Sequence, residues 1–156
     1  MGLVMKFLSI FLSFIIQFAF SQEKNSFELD NWDTTMRPIM LQAGYLTTMI
    51  EDTLGAEIVR VEMDIINQPK DSFRYLFEGW TYGIAAFADW RVIDLDVEIY
   101  KDVDGKWILI EKDDSTDNNP LIFVTPSATG QYRIHVKAYK FLEGFDAAHY
   151  GLIIFH

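Results

Sequence analysis

The chain has no cysteine among its 156 residues, which excludes disulfides, thiolate metal sites and a cysteine nucleophile. Histidine is scarce too. His135, His149 and His156 fall in no HxH or HExxH grouping, so clustered imidazole ligands for zinc have no motif. Ser72, Ser115 and Ser127 lie in turn-like stretches without nucleophile-elbow spacing. Basic residues are few: 13 Lys and Arg stand against 23 Asp and Glu, a net charge of −10. Such a surface repels nucleic acid and anionic lipid and tolerates cations. Carboxylate pairs suited to glycoside hydrolysis occur in any acidic chain and are unspecific. No catalytic constellation emerges, so the chain reads as a non-enzyme, with a small secreted hydrolase as the alternative.

What is present first is an amino-terminal export pattern. Lys6 is the only charge before Glu23, Phe7 to Phe20 is apolar, and Ala19-Phe20-Ser21 offers small residues for cleavage. The spacing predicts a signal peptide over 1–21, a flexible lead-in over 22–34 and one domain over 35–156. The apolar stretch is shorter than the ~20 residues of a membrane span, so no span is expected after cleavage. With Lys6 removed, 12 bases stand against 23 acids, a net of −11 over 135 residues. A cysteine-free exported domain points to a bacterial periplasmic or secreted product.

Two periods follow. Met36, Met40, Ala43, Leu46, Ile50 and Leu54 recur at helical steps, with Asp33 or Thr34 as cap, Pro38 in the first turn and Gly55 past the end. This predicts one amphipathic helix. From residue 59 the period becomes two. Val59, Val61, Met63 and Ile65 alternate with Arg60, Glu62 and Asp64, and Phe73, Tyr75 and Phe77 form the next alternating run. Later strands are expected over 81–88, around Leu95, Val97 and Ile99, and over 107–112, 121–125, 131–139 and 149–155. Asp104-Gly105 marks a tight hairpin. About eight strands at such spacing predict a mainly β fold, an antiparallel jelly-roll-like β-sandwich with an N-terminal helix. Tyr132, Ile134 and Val136 are expected in the core beside Leu95, Val97 and Ile99, with His135 facing away.

The order of several short words adds a family likeness. Gly79-Trp80-Thr81-Tyr82-Gly83-Ile84, then Asp94-Leu95-Asp96, Asp104-Gly105 and Gly130-Gln131-Tyr132-Arg133-Ile134-His135-Val136 follow one another. In this the chain resembles the bacterial pre-peptidase C-terminal domain and its collagen-binding relatives, over about half its length. The resemblance implies a small β-sandwich that assists or attaches a secreted enzyme. It also implies calcium, since related collagen-binding domains bind it.

Two sets of residues are candidate sites. Asp89, Asp94 and Asp96, with Asp113 and Asp114 brought back by a hairpin, could supply oxygen ligands to Ca²⁺; the competing role is capping turns and blunting edge strands. Trp80, Trp90, Trp107 and Tyr139 could form an exposed platform; the competing role is filling and rimming the core. The reading is therefore an exported binding or accessory module for a protein or an extracellular polymer such as a polysaccharide, with calcium as an optional aid. Competing with it are a carbohydrate-binding module and a structural envelope protein.

Overall fold

The computed structural model describes residues 33–156. The signal-peptide assignment of 1–21 and most of the lead-in lie outside the described residues. Helix α1 (Arg37–Leu54) precedes eight strands: β1 (Ile58–Ile66), β2 (Lys70–Leu76), β3 (Tyr82–Ala88), β4 (Val92–Val103), β5 (Lys106–Asp113), β6 (Leu121–Val124), β7 (Gly130–Phe141) and β8 (Ala148–Phe155). They form two four-stranded sheets. Sheet A has the order β1, β8, β3, β6, and sheet B the order β2, β7, β4, β5. Every pairing is antiparallel. This is the expected β-sandwich. Among the described residues no helix is long and apolar enough to cross a membrane.

The core lies between the sheets. Sheet B contributes Leu95, Val97 and Ile99 from β4 and Tyr132, Ile134 and Val136 from β7. Val97 pairs with Val136 and Ile99 with Ile134, so these side chains stack in register as expected. Sheet A contributes Ile84 and Ala86 from β3 and Tyr150, Leu152 and Ile154 from β8. The outward residues of those two strands, including Phe87, Ile153 and Phe155, are buried as well. A strand buried on both faces must be apolar at every position, which explains the unbroken runs 82–88 and 150–155. The second cover on sheet A is α1, which packs on β8 and β1.

Two expectations for the helix need correction. The helix starts after Met36, which provides no side-chain cap; neither Asp33 nor Thr34 caps it, and Thr35 Oγ1 instead accepts from Arg37 N at 3.3 Å. Its buried face is Ile39, Ala43, Leu46, Met49 and Ile50, while Met40 points to water. Gly55 does end it, in the left-handed conformation at φ 64°. The edge strands do not follow the usual rule that the apolar side of an alternating strand is its inner one. Val59, Val61, Met63 and Ile65 on β1, and Phe73 and Tyr75 on β2, face outward, as does Asp71, while Glu62, Lys70 and Arg74 lie half-buried on the other side.

The reason is that β1 and β2 flank one open edge of the sandwich. There Glu62 Oε1 accepts from Ser72 Oγ at 2.7 Å, from Arg60 Nε at 3.1 Å and from Arg74. Lys70 Nζ donates to Asp64 Oδ2 at 2.8 Å. Burial pushes the Tyr150 phenol up to about 12, and the nearby Glu62 and Asp64 carboxylates add to the shift. Inward-pointing charge on edge strands closes the seam and discourages edge-to-edge pairing.

Candidate functional site

The two outer faces of the sandwich differ. Helix α1 covers much of sheet A, whereas among the described residues no element covers the outer face of sheet B. Strand alternation dictates what that face presents. The inward set of β4 and β7 is apolar, so the outward set is the polar and aromatic one: Asp96, Glu98, Tyr100 and Asp102 on β4, and Gln131, Arg133, His135, Lys137 and Tyr139 on β7.

Register assembles these into rows. Phe73 of β2, Arg133 of β7, Tyr100 of β4 and Leu109 of β5 lie side by side across the sheet. The Arg133 guanidinium carbon lies 4.4 Å from the Tyr100 ring centroid and 5.3 Å from that of Trp107. Phe73 and Trp107 come from opposite edges of the sheet, yet their ring centroids are 5.7 Å apart, tilted by 52°. They lean over the middle of the face and half-bury Arg133, whose Nε has no hydrogen-bond partner. Stacking on ring faces stabilises a cation without using its N–H groups. A donor left without an acceptor is costly, and a ligand oxygen near this guanidinium would find N–H groups to bind.

Acids frame the cation. Asp71 Oδ2 is 4.0 Å from Arg133, and its Oδ1 is 2.7 Å from His135 Nδ1. The Tyr100 hydroxyl donates to Glu98, and this bond, first among the causes, holds the phenol above its ordinary range. His135 thus sits on the open face as alternation required. The aromatic character continues along β2 and past its end: Tyr75, Phe77 and Trp80 are exposed, with successive centroids 5.9 Å apart, and Trp80 lies 4.6 Å from the His156 ring. Their planes are inclined by 45° to 77°, so the rings pack on one another's edges and do not make a flat platform.

Of the four expected platform residues, only Trp107 belongs to this cluster. Trp80 and Trp90 lie beyond opposite ends of β3. Trp90 packs edge-on against Phe145 at 5.0 Å. Tyr139 stands apart on β7 with Lys137 Nζ 4.8 Å above its ring. Phe73, Tyr100 and Arg133 are not marked as a site by the sequence pattern. Their one signal is an outward position in each of three strands that the topology makes neighbours.

The structure places the five aspartates proposed for calcium in different settings. Asp89 is buried and spent on Arg91, which donates to Oδ1 at 2.9 Å and to Oδ2 at 2.5 Å, while His149 N donates to Oδ2 at 2.8 Å. Asp113 accepts from Ser115 and from Leu121 N, joining the loop to β6. Asp114 pairs with Lys112 on the surface. Asp94 and Asp96 are the ones not spent in this way. Among the described residues no group of three or more His, Asp or Glu side chains could hold a metal ion. Six to eight oxygens would be needed.

No family model matches the chain, the pre-peptidase C-terminal one included, and no curated protein matches it. Solved structures give a distant likeness. A Sulfurospirillum deleyianum protein matches 62% of this chain over 96% of its own, at 8% identity and a TM-score of 0.42. The Aeromonas hydrophila periplasmic inhibitor of g-type lysozyme matches 67% of this chain over 90% of its own, at 10% identity and a TM-score of 0.42. A CBM4 structure matches 66% over 78% of its own, at 16% identity and a TM-score of 0.36. Nothing about ligand or activity follows from likenesses at this level.

Proposed function

We propose that this chain is a non-catalytic β-sandwich binding module that presents the outer face of sheet B to a protein or an extracellular polymer. One observation carries the reading. The helix covers the outer face of one sheet, the other face is open among the described residues, and on it Phe73, Tyr100 and Trp107 gather around Arg133. Aromatic residues and arginine supply most of the energy at binding surfaces. His135 pairs with Asp71 and His149 with Arg91, and no serine or threonine hydroxyl is hydrogen-bonded to either ring among the described residues. The pattern of Lys6, Phe7–Phe20 and Ala19-Phe20-Ser21 supports export.

The test uses the chain from Gln22 onward on a glycan array and as immobilised bait for envelope proteins, each hit being confirmed with purified ligand by calorimetry. Ligands bound by the wild type should be lost by Trp107→Ala and by Arg133→Ala, with the melting temperature and far-ultraviolet spectrum retained. Binding that survives both substitutions would refute the assignment of this face. Mass spectrometry of the exported protein should show loss of the first 21 residues.

A further inference from the structure

The open face is divided along the strands. Near the β4–β5 turn it is aromatic, with Phe73, Tyr75, Tyr100 and Trp107. Toward the other end it turns acidic. Glu98 lies between His135 and Lys112, Asp96 lies opposite Lys137, and Asp94 is two residues further on the same strand, past a register shift. Asp94 is nine-tenths buried and its Oδ1 has no hydrogen-bond partner. Desolvation first, then repulsion from Asp94, outweighs the attraction of the Lys137 ammonium and, with smaller repulsion from Asp114 and Glu98, makes Asp96 hold its proton more tightly than an ordinary aspartate. A cationic donor placed over this half would relieve that repulsion.

Charge and shape narrow the occupant. A second copy would bring another net −10 to the contact. An extended polysaccharide needs coplanar rings, and Phe73 and Trp107 are tilted by 52°. We propose that the face binds a basic protein: an apolar segment of the partner seats against Phe73, Tyr75 and Trp107, and lysine or arginine side chains of the same partner lie over Asp96 and Glu98. This rests on the binding role proposed above. Charge complementarity of this kind speeds encounter and fixes register, and the rings supply the desolvated centre.

The experiment titrates the chain from Gln22 onward with purified cytochrome c, ribonuclease A and a lysozyme as basic probes, and with acidic proteins of similar size as controls. The variants are Trp107→Ala, the pair Asp96→Asn with Glu98→Gln, and Met40→Ser on the helix as a remote control. A glycan array is run alongside. The expected result is binding to at least one basic probe and no acidic one, with affinity falling as salt rises from 50 to 300 mM. Trp107→Ala should weaken it roughly tenfold or more, the double amide should flatten its salt dependence, and Met40→Ser should change nothing. Binding that ignores Trp107 would mean diffuse charge attraction and overturn the proposal, as would no binding to any basic probe. Glycan binding lost in Trp107→Ala would overturn the basic partner yet keep the face as a binding site. No Trp107-dependent binding of either class would remove both readings.

Discussion

Gly151→Ala should destabilise the protein, although alanine is ordinarily the better strand residue. Gly151 lies in β8 directly opposite Phe87 of β3, on the helix-covered side of sheet A. The Phe87 ring lies across the glycine and is fully buried. A Cβ at 151 would meet three ring carbons at 2.3, 2.5 and 3.0 Å. Comfortable carbon contacts lie at about 3.5–4.0 Å, so the ring must shift by about an ångström within a closed layer. Overpacking of this kind costs about 1–3 kcal/mol. The entropy gained in replacing glycine returns about 0.5–1 kcal/mol. The net expectation is a loss of about 1–2 kcal/mol, read as a lower urea midpoint with unchanged slope and a fall of several degrees in Tm. Phe87→Leu removes the clashing end of the ring, so the double variant should lose less than the two single losses combined, by at least about 0.5 kcal/mol. A Gly151→Ala protein as stable as wild type, or strict additivity in the cycle, would refute the reasoning.

Ile134→Asp should cost several kcal/mol by burying an unpaired charge, whereas His135→Asp on the open face should cost far less; urea unfolding of both checks the facing of β7. Asp89→Ala should cost about 3–5 kcal/mol by leaving the Arg91 guanidinium without its buried partner, and equilibrium unfolding reads that loss directly. Asp117→Asn should stabilise at neutral pH, by less than about 1 kcal/mol because the group keeps some contact with water. Burial, first among the causes, raises the Asp117 carboxyl above 3.8, so its folded form favours the proton. That preference helps stability below 3.8 and is lost as pH rises through the folded value. The gain from asparagine should therefore vanish in acid, and a gain persisting at pH 3 would contradict it.

How far the sequence can be read follows from how burial writes itself into alternation. Where one face of a strand meets the core and the other meets water, as in β4 and β7, period two identifies both the strand and its inner face. The Asp104-Gly105 turn is equally legible, since both residues take positive φ and Asp102 Oδ1 accepts from Gly105 N at 2.8 Å. On β1 and β2 the same period identifies the strand and misplaces the face. Alternation says only that the two faces differ, and polarity chooses the inner one only when the core behind it is apolar. Here the seam behind Glu62, Asp64 and Arg74 is an ion-pair network, so the apolar residues are free to turn outward. The site escapes the sequence pattern for a related reason. Polarity puts Phe73 on the inner side, and Arg133 and Tyr100 have no neighbour in sequence that marks them. Only the order β2, β7, β4, β5 makes them one row.

That inversion bears on function. Had β2 faced as its polarity suggests, Phe73 and Tyr75 would lie in the core, and the open face of sheet B would carry Lys70, Ser72 and Arg74 along its edge. Arg133 would then have Tyr100 and Trp107 on one side and charge on the other. The arrangement as it stands costs the core two aromatic rings and leaves Arg74 Nε buried without a partner. A burial of rings that size is ordinarily worth about 1.5–3 kcal/mol each. A protein of ordinary stability does not forgo that much without a use for the exposed surface. The aromatic band on β2 is therefore the strongest physical reason to look for the ligand on sheet B. Replacing Phe73 by serine sharpens the point. If the ring serves only to cover Arg133, stability should fall and any ligand found should still bind. If it serves the ligand, binding should fall while stability changes little, since the ring already stands nearly half exposed.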